Sequence, residues 1–226
     1  MSWRRFLNKL RRSFRRRPQS AGGVVRSYDE YLRLQRDTFL SFESEVPAWV
    51  DGQRRFLEAV LENVPRSARI LDCACGDGVG LSVLRAMGFV DVVGVELSME
   101  KAERARSGGF PVVECDMHHL DDFEEATFAA VVCSHTLEHA YDPARVLGEF
   151  HRLLSPAGGL YVVLPFPDTG HRNERAHVGK FALGTDHDDG GEAVRHFCAA
   201  NGFRTMSWSL ETVREPEIWL CLERCD

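Results

Sequence analysis

The segment Ile70 to Leu81, ILDCACGDGVGL, decides the architecture of this chain. Two apolar residues, Ile70 and Leu71, lead into Asp72, and a turn follows on Gly76, Gly78 and Gly80. Leu81, Val83, Leu84 and Met87 then recur at helical spacing, so the segment reads as strand, tight turn and helix. Glycines in such a turn admit positive φ and let backbone N–H groups approach a ligand at a helix N-terminus. A second apolar run, Val92 to Val95, ends in Glu96. A carboxylate at the tip of the second strand is placed to grip a ribose diol. The pattern implies a cofactor that carries a nucleoside.

The dinucleotide fingerprint requires G-x-G-x-x-G. Here the glycines are spaced G-x-G-x-G and Leu81 fills the sixth position, a poor match to NAD. Asp72 ahead of the turn, with Cys75-Gly76 after it, resembles the first motif of class I S-adenosylmethionine (SAM) methyltransferases, apolar-Asp-x-Gly-Cys-Gly-x-Gly. Ala74 stands where that motif has its first glycine. Its methyl group is expected to exclude positive φ and to alter the turn. Three further stretches resemble later motifs of the family in order: Glu96 after VVGV, Asp116 beside Met117 in VVECDMHHL, and the run from Phe128 to Pro167. The resemblance extends over residues 66 to 225. It implies that SAM is held by Asp72, Ala74, Gly76, Gly78, Glu96, Leu97, Asp116, Met117 and Ser134, with Asp116 at the adenine. Taken singly, Glu96 also fits a solvated strand end, and Asp116 a helix N-cap. Cys73 and Cys75 read as small packing residues rather than metal or redox groups.

Composition narrows the class. At 226 residues the chain accommodates one domain plus extensions. No apolar run reaches membrane-spanning length, and no secretory signal is read at the N-terminus. Seven scattered cysteines without a C-x-x-C pair suit a reducing, cytoplasmic compartment. The net charge of −6 conceals an asymmetry. Residues 1–17 carry eight Arg and Lys and no acid, which leaves 20 basic against 34 acidic side chains in the rest. An acidic body argues against a nucleic-acid partner gripped along its surface.

Trp3, Phe6, Leu7, Leu10 and Phe14 share one helical face, with arginines opposite. Residues 1–17 therefore read as a helix for an anionic membrane surface; an organellar presequence and a polyanion-binding tail have similar composition. PQSAGG, residues 18–23, is the linker, and residues 24–226 form the methyltransferase-like domain. Tyr28–Phe42 and Gln53–Val64 read as two helices separated by a break at Pro47. The resemblance makes residues 24–65 a lid. Strands are expected near 69–74, 91–95, 111–115, 128–133 and 158–164, and helices near 80–87, 99–107, 143–154 and 190–200. FRTMSWSL and EIWLCLERC follow with no helix between them. The expected fold is α/β and Rossmann-like: a seven-stranded, mostly parallel sheet closed by an antiparallel pair.

Ligands of open α/β sheets bind beyond the carboxyl ends of the strands. Ser134 to His139, SHTLEH, occupies that place after the fourth strand. His135 and His139 are candidate bases, since imidazole titrates near neutrality. The alternative reading is that Glu138 and His139 only cap the next helix or order the loop. The spacing of His135, Glu138 and His139, with His177 further on, is similar to the metal-holding E-x-x-E-H and distant His of small-RNA 2′-O-methyltransferases. Ubiquinone-pathway O-methyltransferases carry a related, metal-dependent Leu-Glu-His. A divalent metal is the subordinate reading here, and its nitrogen-rich donors would favour Zn²⁺, Fe²⁺ or Mn²⁺ over Mg²⁺. His171, Asp186 and His187 are weaker additions in a polar loop spanning 168–189. The expected activity is methyl transfer to a small-molecule, glycan or lipid-linked acceptor at a hydroxyl oxygen. A non-catalytic SAM-binding protein is the alternative. Liposome flotation tests the N-terminal reading: the full chain should float with anionic vesicles and the chain lacking residues 1–17 should not. Equal recovery of the two would exclude a membrane role for that segment.

Overall fold

The computed structural model describes residues 25–39, 41–169 and 174–226. The basic segment 1–17, the linker 18–23 and His171 lie outside the described residues. Strands β1 (Arg69–Cys73), β2 (Asp91–Glu96), β3 (Val112–Glu114), β4 (Phe128–Ser134) and β5 (Leu154–Pro165) pair in parallel. Strands β6 (Phe203–Thr212) and β7 (Pro216–Arg224) close the sheet as an antiparallel hairpin on β5. The order β3-β2-β1-β4-β5-β7-β6 gives the expected seven strands. It reverses direction between β1 and β4, so the crevice beyond the ends of those two strands is the natural ligand position.

Two apolar layers sandwich the sheet. Helices α5 (Pro143–Leu153) and α7 (Glu192–Ala200) bury Val146, Leu147, Phe150, Val194 and Phe197 against one face, where Leu71, Val131 and Val162 point. On the other face, α2 (Pro47–Val60), α3 (Val79–Ala86) and α4 (Met99–Ser107) set Phe56, Leu57, Leu81, Leu84 and Ala105 against Ile70, Val92 and Val132. Neighbouring strand residues thus face opposite layers, which explains strands that are apolar throughout.

The local departures from sequence expectation have identifiable causes. The first helix, α1, spans Tyr28–Thr38, with Ser27 accepting the Glu30 N–H as its cap. Pro47, expected as a break, is instead the first residue of α2. A proline at that position lacks only an N–H that the helix would leave unpaired, and its fixed φ already suits the helix. The expected strand at 158–164 begins earlier, at Leu154. Between the pairs Phe128–Leu154 and Ala130–Gly159, the segment Ser155–Gly158 bulges from the ladder, and Ala157 takes φ +58. Ala74 also departs from expectation, at φ +56. The turn keeps the glycine-like conformation despite the methyl group, at a cost of about 1–2 kcal/mol. Within the loop 168–189, a short helix, α6 (Lys180–Leu183), follows a single 3₁₀ turn.

Gly94 shows how tightly β2 meets the turn. A Cβ there would lie 2.6 Å from Cys75 Sγ and 2.9 Å from Leu81 Cδ1. Gly94→Ala should destabilise the fold by about 1–3 kcal/mol through overpacking. Urea unfolding followed by circular dichroism checks this: the midpoint should fall with the slope unchanged.

Candidate active site

The carboxyl ends of β1, β2 and β4 open into one cavity of about 290 Å³, which α1 and α2 cover. Among the sequence-predicted cofactor residues, Asp72, Ala74, Gly76 and Glu96 line it. So do Leu97, Asp116, Met117 and Ser134. Gly78 does not. It caps α3 at φ +94, with its Cβ position 3.2 Å from the Ala105 methyl, and so shapes the turn from behind.

Glu96 is buried and sits under the turn. Its Oε2 accepts the Gly76 N–H at 2.9 Å and its Oε1 the Ser98 N–H at 2.8 Å. Burial pushes its carboxyl above the usual range, against the pull of those two N–H groups and of Lys101. One acceptor direction on each oxygen remains for a diol. Asp72 is 3% exposed, and its Oδ2 has no hydrogen-bond partner. Burial, and then the nearby Glu96 charge, push its carboxyl up to about 7. A Cβ on Gly80 would fall 2.3 Å from that same oxygen, so the carboxylate packs directly on the first turn of α3.

Asp116 is not a helix cap, because no helix follows it. Its Oδ1 accepts the backbone N–H of His118 at 3.0 Å and lies 2.7 Å from His118 Nδ1, and the Tyr28 hydroxyl donates to Oδ2. Burial works to raise this carboxyl, but the hydrogen bonds from His118 and Tyr28 outweigh it and hold it below the usual range. Ser134 donates to Gln53 Oε1 at 2.6 Å, which joins β4 to the covering helix α2.

The imidazoles of His135, His139 and His177 line the cavity beyond the end of β4. His135, at φ +48, places Nε2 3.2 Å from Glu217 Oε2, and its Nδ1 is buried without a hydrogen-bond partner. Trp219 Nε1 donates to the other Glu217 oxygen at 2.7 Å, fixing that carboxylate. Glu138 is 1% exposed, and burial raises its carboxyl well above the usual range. Glu138, His139 and His177 bring ligating atoms within 4.8 Å of one another. His177 Nδ1 lies 2.8 Å from the buried Asp168 carboxylate, and the His139 and His177 rings are 4.6 Å apart. His135 stands outside this trio: its Nδ1 is 4.0 Å from Glu138 Oε1, and Glu217 engages its other nitrogen. Asp186 and His187 pair with each other at 3.2 Å, away from the cavity lining.

Several lining groups carry no motif signal. Trp49 and Arg214 stack with the guanidinium 3.9 Å from the ring centre, where α2 meets the β6–β7 hairpin. Glu43, Gln53 and Glu215 belong to the same class, since only tertiary packing brings them to the cavity.

Residues 71–162 match a family model described as a methyltransferase domain. The sheet order and the antiparallel closing pair give the chain the class I methyltransferase fold. The chain is similar to the ubiquinone biosynthesis O-methyltransferase of Xylella fastidiosa (strain 9a5c), 31% identical over 149 residues, covering 58% of this chain and 59% of the relative. The chain thus spans about three-fifths of the length of that curated relative. Its fold is similar to that of the Burkholderia thailandensis 1,6-didemethyltoxoflavin-N1-methyltransferase, crystallised with 1,6-didemethyltoxoflavin and S-adenosylhomocysteine. The TM-score is 0.69 at 19% identity, covering 92% of this chain and 94% of that one. The [4+2]-cyclase SpnF shares the fold at a TM-score of 0.62 and 17% identity, covering 76% of this chain and 81% of that one.

Asp72 makes the domain pH-sensitive. Its value in the folded chain lies above the ordinary carboxyl value of 3.8, so folding takes up a proton between pH 3.8 and about 7. Stability from this group is therefore lost as the pH rises through that window. A cationic ligand reverses the preference by favouring the ionised form. Affinity for S-adenosylhomocysteine, which carries an ammonium group, should rise between pH 6 and 8. Calorimetry across that range checks this, and Asp72→Asn should flatten the profile.

Proposed function

We propose that the chain transfers a methyl group from SAM to a hydroxyl oxygen of a small-molecule, glycan or lipid-linked acceptor. One observation carries this reading: a buried, unpartnered Asp72 oxygen and the Glu96 acceptor set share a single cavity with the imidazoles of His135 and His139. The turn brings the carboxylates of Glu43 and Asp72 against Gly76 and Gly80, where a Cβ would strike them, so both acids reach the cavity only because the turn lacks side chains there. Asp72, Ala74, Gly76, Glu96, Leu97, Asp116, Met117 and Ser134 would hold SAM. SAM supplies an activated methyl group on a sulfonium, so the chemistry needs mainly positioning and a proton acceptor. Glu96 grips the ribose, Asp116 faces the adenine, and Asp72 meets the cationic end. Glu217 engages Nε2 of His135, which leaves Nδ1 without a hydrogen bond, 4.0 Å from the carboxylates of Glu138 and Glu215. His135 or His139 takes the acceptor's single proton, and the cover of α1 and α2 excludes water. The name of the ubiquinone-pathway relative supports oxygen as the acceptor atom. The cyclase neighbour shows that the fold alone does not fix the reaction.

A second reading has its own support. Glu138, His139 and His177 form a compact N,N,O donor set, and Asp168 orders His177 in the manner of an outer-shell carboxylate. A divalent ion held there would sit beside the acceptor, with Zn²⁺, Fe²⁺ or Mn²⁺ favoured by the donors. A membrane role for residues 1–17 belongs with a lipid-linked acceptor and rests on composition alone. Among the described residues, no helix is long and apolar enough to cross a membrane.

Titration calorimetry with S-adenosylhomocysteine tests the cofactor assignment. Glu96→Ala should weaken binding by about 1.5–3 kcal/mol, roughly ten- to a hundredfold. His139→Ala should leave that affinity nearly unchanged and lower turnover on the acceptor. If a metal serves the site, a chelator abolishes turnover, one divalent ion restores it, and His177→Ala behaves as His139→Ala does. No binding of S-adenosylhomocysteine at millimolar concentration would overturn the methyltransferase reading.

A further inference from the structure

Residues 42–45 sit between α1 and α2, far in sequence from the glycine turn, yet each is tied to the cofactor side of the cavity. The Arg104 guanidinium lies 3.9 Å from the centre of the Phe42 ring, and its Nη2 is 2.9 Å from Glu45 Oε1. Ser44 donates both its N–H and its hydroxyl to Asp77, within the turn itself. Glu43 Oε1 accepts from Lys101 Nζ, whose side chain is only 6% exposed.

The other Glu43 oxygen has no such partner. Oε2 is buried without a hydrogen bond and lies 2.8 Å from the point where a Cβ on Gly76 would stand. The N–H of that same Gly76 goes to Glu96 Oε2 at 2.9 Å. Two carboxylates thus flank one residue of the turn, and both line the cavity. A buried acceptor without a donor is costly, and adjacent anions repel. Hydroxyl donors placed between them would relieve both penalties at once.

We propose that Glu43 is a second ribose-binding carboxylate, which shares the cofactor diol with Glu96 and so couples closure of residues 42–45 to cofactor occupancy. This inference rests on the SAM reading of the cavity. Lys101 fixes the Glu43 carboxylate so that Oε2 is the atom left to accept. The cofactor would then be held from the sheet side by Glu96 and from the covering side by Glu43. A nucleoside without the diol would still fit the cavity but would not fasten the segment.

The test is a thermodynamic cycle read by calorimetry. S-adenosylhomocysteine and its 2′,3′-dideoxy analogue are titrated into the full chain, Glu43→Gln and Ser44→Ala. In the unaltered chain, loss of the diol should weaken binding about a hundredfold, and in Glu43→Gln only about tenfold, a coupling of roughly tenfold. Ser44→Ala releases the segment from Asp77 and should lower the ratio towards that of Glu43→Gln, because only the closed segment brings Glu43 to the diol. Equal ratios for the unaltered chain and Glu43→Gln would overturn the proposal and leave the cofactor reading intact. Failure of the unaltered chain to bind S-adenosylhomocysteine would overturn both. If Glu43→Gln does not fold, Glu43→Asp, which draws the oxygen back by one methylene, is held to the same criterion.

Discussion

The site depends on one buried carboxylate. Glu96 ties the end of β2 to the turn after β1 through the Gly76 N–H, and ties itself to the start of α4 through the Ser98 N–H. Two strands and a helix N-terminus are thereby fixed relative to one another at the point where the ligand would bind. A charged acceptor on two backbone donors is among the stronger hydrogen-bond arrangements a protein can make, which offsets the desolvation of the acid. The same residue that binds the ribose in the proposed reaction therefore also holds the walls of its own pocket in place.

Most of the sheet was legible in the sequence because its signals are local. The turn at Ile70–Leu81, the acids after each apolar run and the absence of a helix between β6 and β7 each lie within a few residues. Helix α4 matched its expected span because Ser98 caps it from the adjacent position. Expectation failed where local rules compete. Pro47 fits both a break and a helix start, and only the packing of Phe56 and Leu57 decides between them. Ala74 takes a conformation that its side chain disfavours because the strand and turn on either side determine its φ.

The site was legible in halves. The residues expected at the cofactor follow strand ends and share one cavity, apart from Gly78, which shapes the turn without reaching it. The acceptor half was read only in its imidazoles. Glu43, Gln53, Arg214 and Glu215 reach the cavity from elements remote in sequence, Glu217 stands behind His135, and no spacing rule could have placed them there. The structure also separates His135 from the Glu138–His139–His177 trio, a distinction that the string SHTLEH does not contain.

The hydrogen bonds that close the cavity join residues far apart along the chain. Gln53 meets Ser134 across 81 positions, His135 meets Glu217 across 82, and Gln35 reaches the Ala176 carbonyl across 141. Such contacts carry a high loop-closure entropy and form late in folding. During synthesis, the cofactor turn and its strands emerge well before β7 supplies Glu217. A nascent chain can therefore assemble the glycine turn and its strands while the partner of His135 is still missing, and the imidazole wall becomes complete only when β7 has entered the sheet.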